Sequence, residues 1–345
     1  MTTSQQGSSK LVVYAALAGN LAVAVVKFIA AAVTGSSAML SEGVHSLVDT
    51  GNEVLLLYGM KRAAQPPDES HPFGYGREVY FWSFIVALLV FALGAGVSLY
   101  EGVHHLRNPE PMTRPFVNYI VLLAAMAFEG SSWWVAWREF KRARGEVDTL
   151  QAVRDSKDPT TFVVLFEDSA AMVGLVIALA GVAASHLLAW PEADGIASIL
   201  IGLVLATTAY FLAVETKGLL MGEPALPRVR RAIAEAAKAE PGIRSINAVI
   251  TSQQGPHAVV AAVSAEFEDR MTAVEIEACI ERIEAALQRS APDVIALFVK
   301  PQTPAAWAER VRRRGWVAVN GRAPFRDGVT DRAPSAPPVA PPPQG

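Results

Sequence analysis

The chain has 345 residues, of which 52% are hydrophobic and 18% charged, and a mean hydropathy of +0.29, more apolar surface than a soluble fold of this length needs to bury; a membrane is the natural place for the excess. Its 30 basic and 33 acidic residues leave a net charge of -3, with no basic footprint for nucleic acid. A single cysteine, Cys279, excludes an internal disulfide and any multi-thiolate metal site, so a metal held here is held through nitrogen and oxygen.

In chain order, residues 1–10 form a polar N-terminus, and the apolar run after it exceeds the core of a signal peptide, which makes it a permanent span. Six stretches reach the ~20 residues that cross a bilayer: Leu11–Val33, Met39–Met60, Val79–Tyr100, Phe116–Trp137, Phe162–Leu187 and Ile196–Val214. They predict an α-helical membrane protein with a six-helix transmembrane domain over 11–214. An even number of spans puts both ends of the chain on one side. Lys61, Arg62, Arg77, Arg138, Lys141, Arg142, Arg144, Arg154, Lys157 and Lys217 flank that side, against Arg107 and Arg114 on the other, so the termini are expected to be cytoplasmic. Trp133, Trp134, Trp137 and Trp190 suit interfacial anchoring or packing between helices.

Residues 215–301 have a soluble pattern: a helix near Pro227–Ala239, alternation in Ser245–Thr251 and Ala258–Phe267, a second helix at Ala273–Arg289 and a strand at Val294–Val299. The order predicts a small cytoplasmic α/β domain of αββαβ type. Residues 302–345 read as an extension and a Pro-rich tail; the Pro-rich run within Arg332–Gly345 cannot form a packed core and is expected to be disordered.

The second span carries Ser41-Glu42-Gly43-Val44-His45-Ser46-Leu47-Val48-Asp49-Thr50-Gly51-Asn52-Glu53. His45 and Asp49 are four apart and share a helix face. An ionisable group within a bilayer costs roughly 2.5–3.5 kcal/mol on insertion scales, so these residues serve a need: metal ligation, or hydrogen bonds between helices. The fifth span adds Glu167 and Asp168. Two adjacent carboxylates in an apolar helix repel or take up protons unless a cation joins them. A dication between the second and fifth spans, held by one imidazole and two or three carboxylates, resolves this and suits zinc, manganese or ferrous iron. Successive helical residues point about 100° apart, so Asp168 is preferred to Glu167 as a direct ligand.

Two motifs make the reading specific. The run from Ser36 to Asp49 resembles the second-helix signature of the cation diffusion facilitator family, and His71-Pro72-Phe73-Gly74-Tyr75-Gly76-Arg77-Glu78 resembles that family's loop before the third helix. The resemblance covers about residues 11–300. It implies exchange of zinc, or a related metal, for protons by alternating access, and a metallochaperone-like cytoplasmic domain through which the protein forms a homodimer. The family's fifth-helix motif is His-x-x-x-Asp, but Val164 stands four before Asp168. Glu167-Asp168 together with His-Ser-Leu-Val-Asp is similar to a divergent branch of the family that includes organellar zinc transporters. Asp68, His71 and Tyr75 fall where many relatives have an accessory site of one aspartate and two histidines, so Asp68 and His71 are candidates for a weak accessory site or for capping of the helix start. His257 lies near a regulatory position of relatives but reads as a surface histidine. His104, His105 and His186 read as interface side chains, and Lys27, Asn20, Glu129 and Asp194 as partners in helix-to-helix pairing or snorkelling.

These residues predict a zinc/proton antiporter that exports metal from the cytoplasm, since metal and proton compete for the same lone pairs and imidazole titrates near pH 6.5. Manganese or iron(II) transport within the same family is the alternative, as is a metal-responsive receptor or scaffold that does not transport. Zinc is substrate here; no cofactor is expected, and the partners are metal ions, protons, lipid and a second copy. An intramembrane metalloenzyme is disfavoured because His-Glu-x-x-His is missing and no serine or cysteine has an evident activating partner. Ala and Arg usage with one cysteine points to a bacterial inner membrane.

Overall fold

The structure, a computed structural model, describes residues 3–109, 112–144 and 156–315. Arg154 and the Pro-rich tail at 332–345 lie outside the described residues. The chain divides into two compact units, at Gly222 and Glu223.

Among the described residues the first unit holds six long helices: α1 (Thr3–Thr34), α2 (Ser37–Ala63), α3 (Glu78–Arg107), α4 (Pro115–Arg144), α5 (Pro159–Leu187) and α6 (Glu192–Met221). Five are long and apolar enough to cross a membrane; α2 falls short. The reason is its sequence, which places Glu42, His45, Asp49, Asn52 and Glu53 within one helix. Helix α2 packs against α1, α3, α5 and α6, and Glu42, His45, Ser46 and Asn52 are buried among them. Its polarity therefore faces protein, where partners can be supplied, and not lipid. The outer surface is the reverse: Ile29, Phe116, Ile120 and Tyr210 are exposed, as expected of helices bathed in hydrocarbon.

Local chemistry sets where α2 begins. Gly35 takes the left-handed conformation at φ +71° and ends α1, and Ser36 caps α2 by accepting from the Met39 N–H at 3.1 Å. From α6, the buried Asp194 accepts from the Ser37 N–H at 2.5 Å, the Ala38 N–H at 3.3 Å and the hydroxyls of Ser36 and Ser37 at 2.7 and 3.0 Å, a carboxylate on the positive end of a helix. Ser198 of α6 continues the seam, bonding Ser41 and donating to the Ser98 carbonyl of α3. Helices α3 and α6 approach so closely that a Cβ at Gly102 would stand 2.8 Å from the Gly195 carbonyl oxygen. Helix α3 also contains a π-helical segment, Val90–Ala95. Helix α6 runs past Val214 to Met221 and stops at Gly222, φ +89°; the polar Glu215 and Lys217 lie on its last turns.

The second unit has the order α7 (Pro227–Lys238), β1 (Ile243–Gly255), β2 (Ala258–Phe267), α8 (Ala273–Ser290), β3 (Val294–Pro301) and α9 (Pro304–Arg313). The sheet order is β1-β2-β3, with β1 and β2 antiparallel and β2 and β3 parallel, and α8 is the crossover that a parallel pair requires. Ile233 of α7 and Cys279, Ile283 and Leu287 of α8 pack on Val259, Ala261 and Val263 of β2. The αββαβ order follows the sequence pattern. Helix α9 lies within the extension that follows the sheet, capped by Thr303 and seated by the buried Trp307.

Candidate metal centre

On α2, the i,i+4 spacing brings His45 Nδ1 to 3.3 Å from Asp49 Oδ1, without hydrogen-bond geometry. His45 is 1% exposed, and among the described residues neither of its ring nitrogens has a hydrogen-bond partner, nor have Asp49 Oδ1 and Asp168 Oδ2. Buried polar atoms are nearly always paired, so this set of nitrogen and oxygen donors stands out chemically: its lone pairs are available to a cation.

A cavity of about 70 Å³ lies between α1, α2, α4 and α5. Asn20, Ser46, Asp49, Glu53, Glu129 and Asp168 supply its polar wall, and Val23, Phe128, Val164 and Ala171 its apolar one. It has the size of a hydrated ion's chamber rather than an organic ligand's pocket. Asp49 and Asp168, from two helices, thus meet at one cavity. Val164, at the position where the resembled family has histidine, contributes only hydrocarbon. Glu167 is turned elsewhere: its Oε1 accepts from Asn52 Nδ2 at 2.7 Å. Among the described residues, no three His, Cys, Asp or Glu side chains stand close enough together to clasp an ion as they lie, so His45, Asp49, Glu167 and Asp168 are neighbours and not a closed coordination shell.

Beside the cavity lies an ionic network that sequence reasoning treated as plain helix pairing. Lys27 of α1 is fully buried, and its Nζ donates to Glu42 Oε2 at 3.1 Å, Ser46 Oγ at 2.8 Å and Glu129 Oε1 at 2.8 Å. Asn20 Nδ2 donates to Glu53 Oε1 at 2.6 Å. Opposite charges in two different spans were the available signal; that Glu129 and Glu53 also line the cavity with Asp49 is a tertiary fact.

The loop residues make a different structure. Asp68 accepts from Tyr75 Oη at 2.6 Å, Ser70 Oγ at 2.7 Å and the His71 N–H at 2.8 Å. His71 Nδ1 is 3.7 Å from Asp68 Oδ1, and the His71 ring stacks on Tyr75 at 4.0 Å. The Tyr75 hydroxyl, then Ser70, hold the Asp68 carboxyl well below the usual carboxylate range. The other histidines are scattered: His105 is buried with Nε2 unpartnered among the described residues, His186 lies 3.4 Å from Tyr119 Oη, and the exposed His257 lies 3.5 Å from Asp293.

Comparison with known proteins agrees with this architecture. Residues 13–221 match the cation efflux transmembrane domain. Over 247 residues the chain is 33% identical to the mitochondrial proton-coupled zinc antiporter SLC30A9 of Mus musculus, covering 71% of this chain and 44% of that protein. It is 34% identical over 193 residues to metal tolerance protein C4 of Arabidopsis thaliana, covering 55% and 42%. It is 27% identical over 296 residues to the cation-efflux pump FieF of Klebsiella pneumoniae, covering 84% and 93%. The chain thus spans less than half the length of the first two relatives. A match that runs through all six helices, over a bundle whose ionisable side chains face inward, establishes that the chain belongs to the cation efflux, or cation diffusion facilitator, family.

Proposed function

We propose that this protein is a proton-coupled transporter of a divalent metal, with zinc as its first substrate, exporting it from the cytoplasm. The observation that carries the reading is the meeting of Asp49 on α2 and Asp168 on α5 at one cavity, each with an unpartnered buried oxygen, beside the unpartnered imidazole of His45. In this reading His45, Asp49 and Asp168 bind the metal when deprotonated and release it when protonated, because metal and proton compete for the same electron pairs. Glu167 accepts from Asn52 through Oε1 and would join through its other oxygen. Movement of α2 against α5 closes the ligands on the ion from one side and opens them to the other. Asp68 and His71 are read as the anchor of a turn, since the oxygens of Asp68 already accept from four donors.

The basic flanks of the spans support cytoplasmic termini, the Ala and Arg usage with one cysteine is read as that of a bacterial inner-membrane protein, and the α/β unit is read as the surface through which two copies pair. The relative from Mus musculus is named a proton-coupled zinc antiporter, which supports zinc and protons as the exchanged pair. The test is zinc entry into proteoliposomes, followed with an internal fluorescent indicator under an imposed pH gradient, beside Asp49→Ala and His45→Ala. Gradient-dependent flux, lost in both variants while they remain folded, is the expected result. Undiminished flux in either variant removes this site, manganese or iron flux without zinc flux changes the substrate, and binding without flux makes the protein a metal-responsive receptor.

A further inference from the structure

The cavity wall has a carboxylate that comes from neither α2 nor α5. Glu129, on α4, lines the same chamber as Asp49 and Asp168. Its two oxygens are in different situations. Oε1 accepts from Lys27 Nζ at 2.8 Å and from Ser46 Oγ at 3.5 Å. Oε2 is buried and has no partner among the described residues. If Glu129 served only to neutralise Lys27, Glu42 would already do so: it is fully buried and lies 3.1 Å from the same ammonium. One lysine against two carboxylates leaves a surplus negative charge in the network, and Asp49 and Asp168 stand at the same cavity. A low-dielectric chamber does not hold such a surplus without a cation or protons. A second observation points the same way: the His45 imidazole, 1% exposed and unpartnered at both nitrogens, lies 3.3 Å from Asp49 Oδ1.

We infer that Glu129 is a further ligand of the transported dication, its Oε2 coordinating beside Asp49 and Asp168 while Lys27 holds Oε1 and so fixes the plane of the carboxylate. This rests on the transport reading above and extends it from two helices to three. An oxygen ligand whose second oxygen is hydrogen-bonded is the usual arrangement of an oriented metal carboxylate. The consequence is a donor set of one nitrogen and three carboxylates. Zinc draws on the imidazole, whereas manganese depends on oxygen donors, so loss of Glu129 weakens manganese more than zinc.

The test uses the full-length protein purified in detergent, with zinc and manganese dissociation constants measured by competition against a fluorescent chelator for the wild type, Asp49→Asn and Glu129→Gln. Glutamine keeps the size and an oxygen that accepts from Lys27, and removes the charge. Glu129→Gln is expected to weaken zinc by about tenfold or more and manganese by a larger factor, and to shrink the rise in melting temperature that zinc produces. Zinc and manganese affinities within about twofold of wild type in Glu129→Gln, with Asp49→Asn weakened, overturn the role of Glu129 and leave the transport site standing. A wild type that binds neither metal overturns both. If Glu129→Gln does not fold, Glu129→Asp, which keeps the charge but withdraws the oxygen by one methylene, carries the test: weakened binding supports the assignment and native affinity overturns it.

Discussion

The helical bundle and the α/β unit are built on opposite distributions of the same residue types. In the α/β unit the described interior buries hydrocarbon, with Ile233, Val259, Cys279 and Ile283, and uncharged polar groups such as Asn247 and Gln253, while Arg244, Glu268 and Asp269 pair on the outside. In the bundle Lys27, Glu42, His45, Asn52 and Asp194 are buried, and Ile29, Phe116 and Ile120 face outward. Water expels apolar surface and so organises the first arrangement. Hydrocarbon gives no such drive between helices, and the bundle relies on close packing and on polar pairs that have no better place to go. The contrast teaches that a buried charge means different things in the two units. It would be a defect in one and is the organising element of the other.

The largest effect should come from removing a charge from the bundle. Lys27→Met leaves Glu42 and Glu129 together without a counter-charge and should cost about 3–5 kcal/mol, read as a fall in melting temperature in detergent. Adding Glu42→Gln to Lys27→Met should recover part of the loss. A Lys27→Met protein as stable as wild type would mean that the network adds no stability, and the contrast between the units would weaken. The corresponding cut in the other unit is apolar. Ile233→Ala should cost about 2–5 kcal/mol by leaving a cavity in its core. Cys279 reports on it directly, because burial and the neighbouring Glu240 push its thiol upward, so little thiolate is present at neutral pH and labelling requires opening. Ile233 on α7 and Cys279 on α8 belong to one core, so labelling of Cys279 should quicken in Ile233→Ala, and an unchanged rate would mean that Ile233 does not hold this core closed.

A smaller effect tests a polar pair without moving the ion site. Asp194→Asn keeps one acceptor for the α2 N-terminus but removes the charge and part of the fourfold bonding to Ser36, Ser37 and Ala38. A loss of about 2 kcal/mol is expected, with metal affinity retained; a matching loss of zinc affinity would tie the α6 clamp to the site and not to helix placement alone.

Much of this was legible in the sequence, for reasons that differ by element. The apolar runs give the helices because bilayer thickness fixes their length, and α2, whose composition falls short of a span, is legible as well through the motif from Ser36 to Asp49. The facing of His45 and Asp49 follows from helical period, and so does the divergence of Glu167 toward Asn52 from Asp168 at the cavity. What the period cannot supply is which helix lies opposite. Asn20 meets Glu53 and Lys27 meets Glu129 across sequence separations that only tertiary packing closes, which is why Glu129 read as a pairing residue. The π-helical segment, Val90–Ala95, was not anticipated from the sequence.

The smallest expected effect lies where local sequence already decides the structure. Thr272 caps α8 by accepting from the Glu275 N–H at 3.3 Å, and the Glu275 carboxylate returns to the Thr272 N–H at 2.7 Å, a reciprocal box that satisfies two otherwise orphaned donors. Hydrogen bonds from the Thr272 N–H and hydroxyl hold the Glu275 carboxyl below its ordinary range. Thr272→Ala should cost about 1 kcal/mol, and Cys279 labelling, about two turns along the same helix, should rise by roughly fivefold, since 1.4 kcal/mol is a factor of ten. Zinc flux should not change, because the box belongs to the α/β unit. A flux that fell with this cap would show that ion movement depends on the order of α8, and the two units, opposite in construction, would then be coupled in function.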